Sequence, residues 1–265
     1  MSSRFGFFIC LFLLSGYVEA AEVRIAVASN FKYTLHKLAA EFKIKTGHEI
    51  AVISASTGKL YAQIKFGAPY DVFLSADERR ADLLVAENFA SADSAYIYAL
   101  GKLVMVSNIA SLSSAHSDID NAENCKQVLS SESLQRLAIA NPKIAPYGSA
   151  TRQVLVNMGL WRQLQTRIIM GENISQTFQF VSTKNADVGF VAQSMIEITK
   201  DKRTDDVKFA CQWDVPTDLY SPIKQKMVVL KNIKNKQAAH EFSQYIKSSD
   251  ARRIIEMTGY DTLAN

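Results

Sequence analysis

Apolar residues recur along the chain with two different periods. Val23 to Ala28 alternates and is rich in β-branched side chains, the mark of a strand. Phe31 to Thr46 then places Leu35, Leu38, Ala39 and Phe42 on one helical face, and Gly47 stands where a left-handed residue ends a helix. A strand over Glu49–Ser54 follows, then a helix over Lys59–Phe66 halted by Gly67-Ala68-Pro69, then a strand over Tyr70–Ser75. This is the β-α-β-α-β rhythm of a parallel sheet with helices on both faces. The rhythm restarts further on. Strands are expected over Lys102–Ser107, Leu137–Ala140, Asp187–Ala192, Asp206–Trp213 and Gln225–Leu230. Helices are expected over Leu129–Arg136, Ser149–Met158, Ser175–Thr183, Lys236–Ser248 and Asp250–Met257. The pattern yields two βα clusters with crossings near Tyr98–Lys102 and Val215–Gln225.

The start of the chain lies outside this pattern. Met1–Arg4 is a short basic start, and Phe5–Leu14 is an apolar run of signal-peptide length, too short to span a bilayer. Val18-Glu19-Ala20 is a small-x-small cleavage signature, so residues 1–20 are expected to be removed on export, leaving a soluble chain that begins at Ala21. Alanine, not cysteine, follows the cut and offers no lipid anchor. Cys10 leaves with the leader. Cys125 and Cys211 remain, either joined in the disulfide that an oxidising compartment permits or buried as separate small thiols.

The chain is 265 residues long, 48% hydrophobic and 21% charged, with a net charge of +4. That balance suits a globular protein with a large core and offers no Lys/Arg run for nucleic acid. His36, His48, His116 and His240 have no metal-ligand spacing with cysteine or carboxylate. No phosphate-loop, dinucleotide or nucleophile-elbow motif stands where it would need to be. Asp71, Asp77 and Asp187 lie at strand ends and starts, where a capping role accounts for them. No catalytic residue and no resident metal or cofactor is expected.

One feature recurs at Ser29-Asn30, Ser56-Thr57-Gly58, Pro146-Tyr147-Gly148-Ser149 and Glu172-Asn173-Ile174-Ser175. At each, a small polar or glycine-containing loop opens a helix. Helix N-termini carry unpaired N–H groups and partial positive charge, which suits an anion. In open α/β sheets such loops gather at the carboxyl ends of the strands. The plain alternative is that these Ser, Thr and Asn residues simply cap their helices.

The wording of these segments is similar to that of the periplasmic molybdate-binding proteins. The opening Ala26-Val27-Ala28-Ser29-Asn30 and Ser54 to Ile64 resemble the start of that family, and Gly67-Ala68-Pro69-Tyr70-Asp71-Val72-Phe73-Leu74-Ser75-Ala76-Asp77 resembles its GAPxDxFxSAD stretch. Ala138 to Gly148, Glu172-Asn173-Ile174 and Val188-Gly189-Phe190-Val191 follow in the family's order. The resemblance spans the whole mature chain. It implies a type II periplasmic binding fold, an α/β architecture of two lobes joined by a two-strand hinge. Residues 21–100 and 220–265 would form lobe I and residues 101–219 lobe II.

The resemblance also implies a function. The chain would capture molybdate or tungstate in the periplasm and deliver it to the membrane permease and ATPase of an ABC importer, acting as a monomer. Sulfate or phosphate on the same fold is the alternative anion, and an exported enzyme the more distant one. By position, Ser29 and Thr57 would give hydroxyl and N–H, Asn30 its backbone or side chain, and Tyr147 and Ile174 their backbone N–H groups. Two departures are visible. A tyrosine that some members carry at the position of Ala192 is missing, and the Tyr147 hydroxyl is its candidate substitute; Thr57 replaces a common serine.

Overall fold

The structure is a computed structural model that describes residues 21–109, 125–201 and 207–263. The expected leader, His116 and the expected strand start at Asp206 lie outside the described residues. In chain order the strands are β1 (Glu22–Ala28), β2 (Glu49–Ala55), β3 (Val72–Ser75), β4 (Tyr96–Gly101), β5 (Leu103–Ser107), β6 (Leu137–Ala140), β7 (Ile168–Gly171), β8 (Val188–Ala192), β9 (Cys211–Asp214) and β10 (Ile223–Val229). The helices are α1 (Lys32–Thr46), α2 (Thr57–Lys65), α3 (Glu78–Ala86), α4 (Pro146–Asn157), α5 (Trp161–Leu164), α6 (Ile174–Ser182), α7 (Gln193–Asp201), α8 (Lys236–Tyr245) and α9 (Ser249–Met257).

Two sheets form, ordered β2-β1-β3-β10-β4 and β7-β6-β8-β5-β9. The expected parallel pairing holds for β1, β2 and β3 and for β6, β7 and β8, but each sheet is mixed. β10 runs antiparallel to β3 and β4, and β5 runs antiparallel to β8 and β9. The reason is connectivity: β5 and β10 are the strands that enter a sheet from the other one, so no right-handed βαβ crossover sets their direction.

Alternation explains the packing. In β1, Val23, Ile25 and Val27 point to one face and meet Leu35, Leu38 and Phe42 of α1 and Phe242 of α8. Ala26 points to the other face, with Leu60 and Ile64 of α2 and Ala81 and Leu84 of α3. β3 is buried on both sides, which is why Val72 to Leu74 is a continuous apolar run. The second sheet has its own core, built around Leu137, Ile139, Val154, Leu155, Phe190 and Val191.

Other differences have local causes. The helix expected over Leu129–Arg136 is only a short 3-10 turn, Val128–Ser130. Ser131 accepts from the Ser133 amide and shares a hydrogen bond with its hydroxyl, a local bond that competes with helix. Helix α3, capped by the Asp77 carboxylate on the Arg80 N–H, and strands β4 and β7 add to the expected elements. Helices α2, α4 and α6 begin earlier than the pattern suggested, at Thr57, Pro146 and Ile174.

Cys125 and Cys211 form a disulfide across 86 residues, tying the start of the Cys125 segment to β9. Constraining a loop of that length is worth about 3–5 kcal/mol in the chain-entropy account. The double change Cys125→Ser, Cys211→Ser is expected to lower stability by that order in denaturant melts. Equal midpoints for the variant and the parent chain would refute the assignment.

Candidate functional site

The two sheets meet along a seam, and the carboxyl ends of β1, β2, β6 and β7 deliver chain to it. From the first sheet come the 3-10 turn Ser29–Phe31 after β1 and the start of α2. From the second come the starts of α4 and α6. Direct bonds cross the seam. The Gly58 N–H donates to Ile144 O (2.8 Å), the Ser175 hydroxyl to Ser29 O (3.2 Å) and the Ser194 hydroxyl to Asn30 O (3.4 Å). Gly58 permits this approach, since a Cβ there would sit 3.0 Å from Ile144. Gly148 does the same for α4, because a Cβ would sit 2.1 Å from Ala140 O.

The structure brings Ser29, Asn30, Thr57, Tyr147 and Ile174 to this seam, and all are buried, none more than 8% exposed. Capping does not account for most of them. Ser29 and Asn30 lie within a 3-10 turn whose cap, Ala28, has no capping side chain, and α1 starts at Lys32 without a side-chain cap. Ser56 holds the N-cap of α2 but its hydroxyl makes no capping bond. Helix α4 starts with Pro146 at its first position and Ala145 as a cap without a donor or acceptor side chain. Only Asn173 caps in the ordinary way, accepting from the Gln176 N–H.

The earlier helix starts change the chemistry. Thr57, Tyr147 and Ile174 lie in the first turns of α2, α4 and α6, where N–H groups have no intrahelical acceptor. Among the described residues no acceptor takes the N–H of Asn30, Thr57, Tyr147, Gly148, Ile174 or Ser175. The Ser29 hydroxyl likewise has no partner. The Thr57 hydroxyl accepts a long bond from the Ala76 N–H (3.3 Å) and keeps its own proton free. Ser56 Oγ is buried with no partner among the described residues. The sequence placed Ser56, Gly148 and Ser175 in these loops but did not single them out as donors, although each stands beside a chosen residue.

One expected donor is already committed. Asn30 Nδ2 gives its hydrogens to Gln225 Oε1 (2.8 Å) and Tyr260 Oη (3.0 Å), which leaves the backbone N–H as the available group. Tyr147 directs its phenol towards the strands that join the sheets. Its hydroxyl lies 3.5 Å from Gln225 Nε2, and a Cβ on Gly101 would sit 2.3 Å from it. Burial, reinforced by the neighbouring Tyr260 and Tyr98, raises the Tyr147 phenol well above its ordinary pKa, so it stays protonated. Ala192 closes β8 as a fully buried residue with no polar group.

The acids flanking the seam are occupied. Glu172 pairs with Lys59 (2.8 Å), and Asp77 pairs with Arg80, whose Nη2 also reaches Lys143 O (2.9 Å) across the seam. Asp71 holds the Arg24 and Lys234 N–H groups, and Asp187 those of Gln135 and Arg136. Each of these two carboxylates is bound to backbone. No group of metal-ligating side chains occurs among the described residues, and no described helix is long and apolar enough to cross a membrane.

The comparisons with known proteins agree with this geometry. A model of the bacterial extracellular solute-binding proteins matches residues 23–261. The molybdate-binding protein ModA of Azotobacter vinelandii is 39% identical over 248 residues, 94% of this chain and 93% of that protein. ModA of Rhodobacter capsulatus is 39% identical over 243 residues, 92% of this chain and 89% of that protein. The solved periplasmic molybdate-binding protein of Azotobacter vinelandii superposes with a TM-score of 0.80 at 36% identity, covering 91% of this chain and 100% of that one. With the two-lobe α/β fold, the seam of unpaired donors and this likeness over nearly its full length, the chain belongs to the bacterial extracellular solute-binding proteins and, among them, to the molybdate-binding protein family.

Proposed function

We propose that this chain is an exported binding protein that captures molybdate or tungstate and delivers it to the permease and ATPase of an ABC importer. The observation that carries the reading is the set of uncommitted donors at the seam. They come from both sheets, they are uncharged, and every flanking acid is already partnered. A tetrahedral dianion supplies the acceptors that such donors lack. Charge-assisted bonds of this kind are the strong ones.

In this reading Ser29 and Thr57 donate through hydroxyl groups, and Asn30, Thr57, Tyr147 and Ile174 through backbone N–H groups. Residues 21–100 and 220–265 act as one lobe and residues 101–219 as the other, closing on the guest about the crossing strands. The chain works without catalysis, as a monomer in the periplasm, after cleavage behind Ala20. Size selection follows from rigidity. An anion too small for the ring leaves donors unpaired, at about 1–3 kcal/mol each. Sulfate is refused on that ground, and phosphate also because its proton meets no acceptor.

A panel of oxyanions decides the class. At about a hundredfold excess over Kd, molybdate is expected to stabilise the chain by about 2.7 kcal/mol, a rise of about 5–10 °C in Tm. Sulfate and phosphate at the same concentration are expected to leave Tm in place. A sulfate shift equal to that of molybdate overturns the substrate.

Thr57→Val keeps the shape and removes one donor to a charged guest. Molybdate affinity is expected to fall about tenfold to a hundredfold in calorimetric titration, with Ile174→Val as a control that changes little because only its backbone takes part. Affinity unchanged in Thr57→Val would assign that hydroxyl to structure alone.

Ser56→Ala is expected to act with opposite signs on the two states. Removing a buried hydroxyl without a partner leaves the free chain as stable or slightly more stable, whereas molybdate binding weakens. A variant that binds molybdate as tightly as the parent removes Ser56 from the donor set.

A further inference from the structure

The crossing of the chain between its sheets is unusually compact. β4 passes into β5 through Lys102 alone, and the return runs from Asp214 to Ile223. The two crossing strands pair with each other, Ile223 opposite Gly101 and Gln225 opposite Ala99. The register then slips, so that Lys226 stands opposite Ile97 and Tyr98 is left without a partner across the ladder. A bulge of this kind re-aims side chains. Here the skipped residue, Tyr98, is buried beside Gln225. Gln225 follows the inward alternation of Ile223 and Met227 and is completely buried.

The direction of the Gln225 amide follows from its neighbours. Tyr260 donates its hydroxyl proton to Asn30 O (2.8 Å), so Asn30 Nδ2 is the donor towards both Tyr260 Oη and Gln225. Gln225 must then present its oxygen to Asn30, and the Tyr98 hydroxyl lies 3.1 Å from that same oxygen. The nitrogen is left to face Tyr147 Oη at 3.5 Å. One side chain on the crossing strand thus grips the turn after β1 with its oxygen and the first turn of α4 with its nitrogen.

We infer that Gln225 is a positioning residue for anion binding: it sets the Asn30 turn of the first sheet and the Tyr147 turn of the second against each other across the crossing strands. The inference rests on the function proposed above. Gln225 need not touch the anion. It acts by holding two donor-bearing turns in register, and Gly101 supplies the space, since a Cβ there would meet both Tyr147 Oη (2.3 Å) and Gln225 Nε2 (3.0 Å).

A double-mutant cycle tests it with molybdate as the probe in calorimetric titration. Gln225→Met preserves length and removes both polar ends. Tyr147→Phe removes the hydroxyl and leaves the backbone N–H. Gln225→Met is expected to raise the Kd for molybdate about tenfold, and the double variant is expected to bind no worse than Gln225→Met, because each change breaks the same link. A purely structural glutamine would lower Tm and leave Kd unmoved, and that result overturns the inference, as do losses that multiply. Should Gln225→Met fail to fold, Gly101→Ala carries the test. The added methyl displaces the Tyr147 hydroxyl and is expected to weaken binding, with Tyr147→Phe in the same chain restoring part of the loss. Wild-type affinity in Gly101→Ala, or no relief from phenylalanine, overturns it equally. A parent chain that ignores molybdate sinks the proposed function together with this inference, whereas a parent that binds beside a Gln225→Met that binds equally well sinks this inference alone.

Discussion

Buried amide hydrogens need acceptors, and at the seam of this protein the described residues do not supply them. The first turns of α2, α4 and α6 end there, each with N–H groups that no described residue accepts. Elsewhere the fold is careful on this point. Asp77 caps α3, Ser248 caps α9, and Asp187 takes two N–H groups at the start of β6. The contrast sets the seam apart. Donors left unpaired cost about 1–3 kcal/mol each, and in the proposed function the anion is what completes them.

That constraint links binding to closure. Each lobe alone can leave its helix starts facing water. In the proposed function, bringing them together would remove the water and strand the donors, so closing would be costly without a guest and favourable with one. A ligand moves such an equilibrium only through its different affinity for the two states. A dianion satisfied by donors from both sides has that difference built in. In that reading neutral donors serve better than lysine or arginine, because a cleft lined by uncharged amides and hydroxyls is left with no unpaired charge once the anion leaves.

Much of the fold was legible in the sequence because burial and period agree in it. β1 alternates because its two faces meet α1 and α2, and β3 is a continuous apolar run because both of its faces are covered. The direction of β5 and β10 was not legible, since periodicity carries no strand direction. Nor was β7, where Ile168 and Ile169 are only half-buried and Met170 is exposed. At the site, the loops were readable from their Ser, Thr, Asn and Gly content, whereas their state was not. Whether Ser56 caps, and whether the Asn30 amide is spent on Gln225 and Tyr260, depends on neighbours far away in sequence.

Gln225 shows what a finer reading can reach. In the run Ile223-Lys224-Gln225-Lys226-Met227 the polar residue at the inward position is out of place, and a buried amide in a strand core asks for partners. Its partners were beyond the reach of pattern, because they arrive from residues 30, 98 and 147. A side chain that costs free energy to bury, on the strand that joins the two sheets, is poorly explained as core packing. An apolar residue of the same length would fill the space without the burden of satisfying an oxygen and a nitrogen. What the amide adds is direction: an acceptor towards the turn after the first strand and a donor towards the first turn of α4.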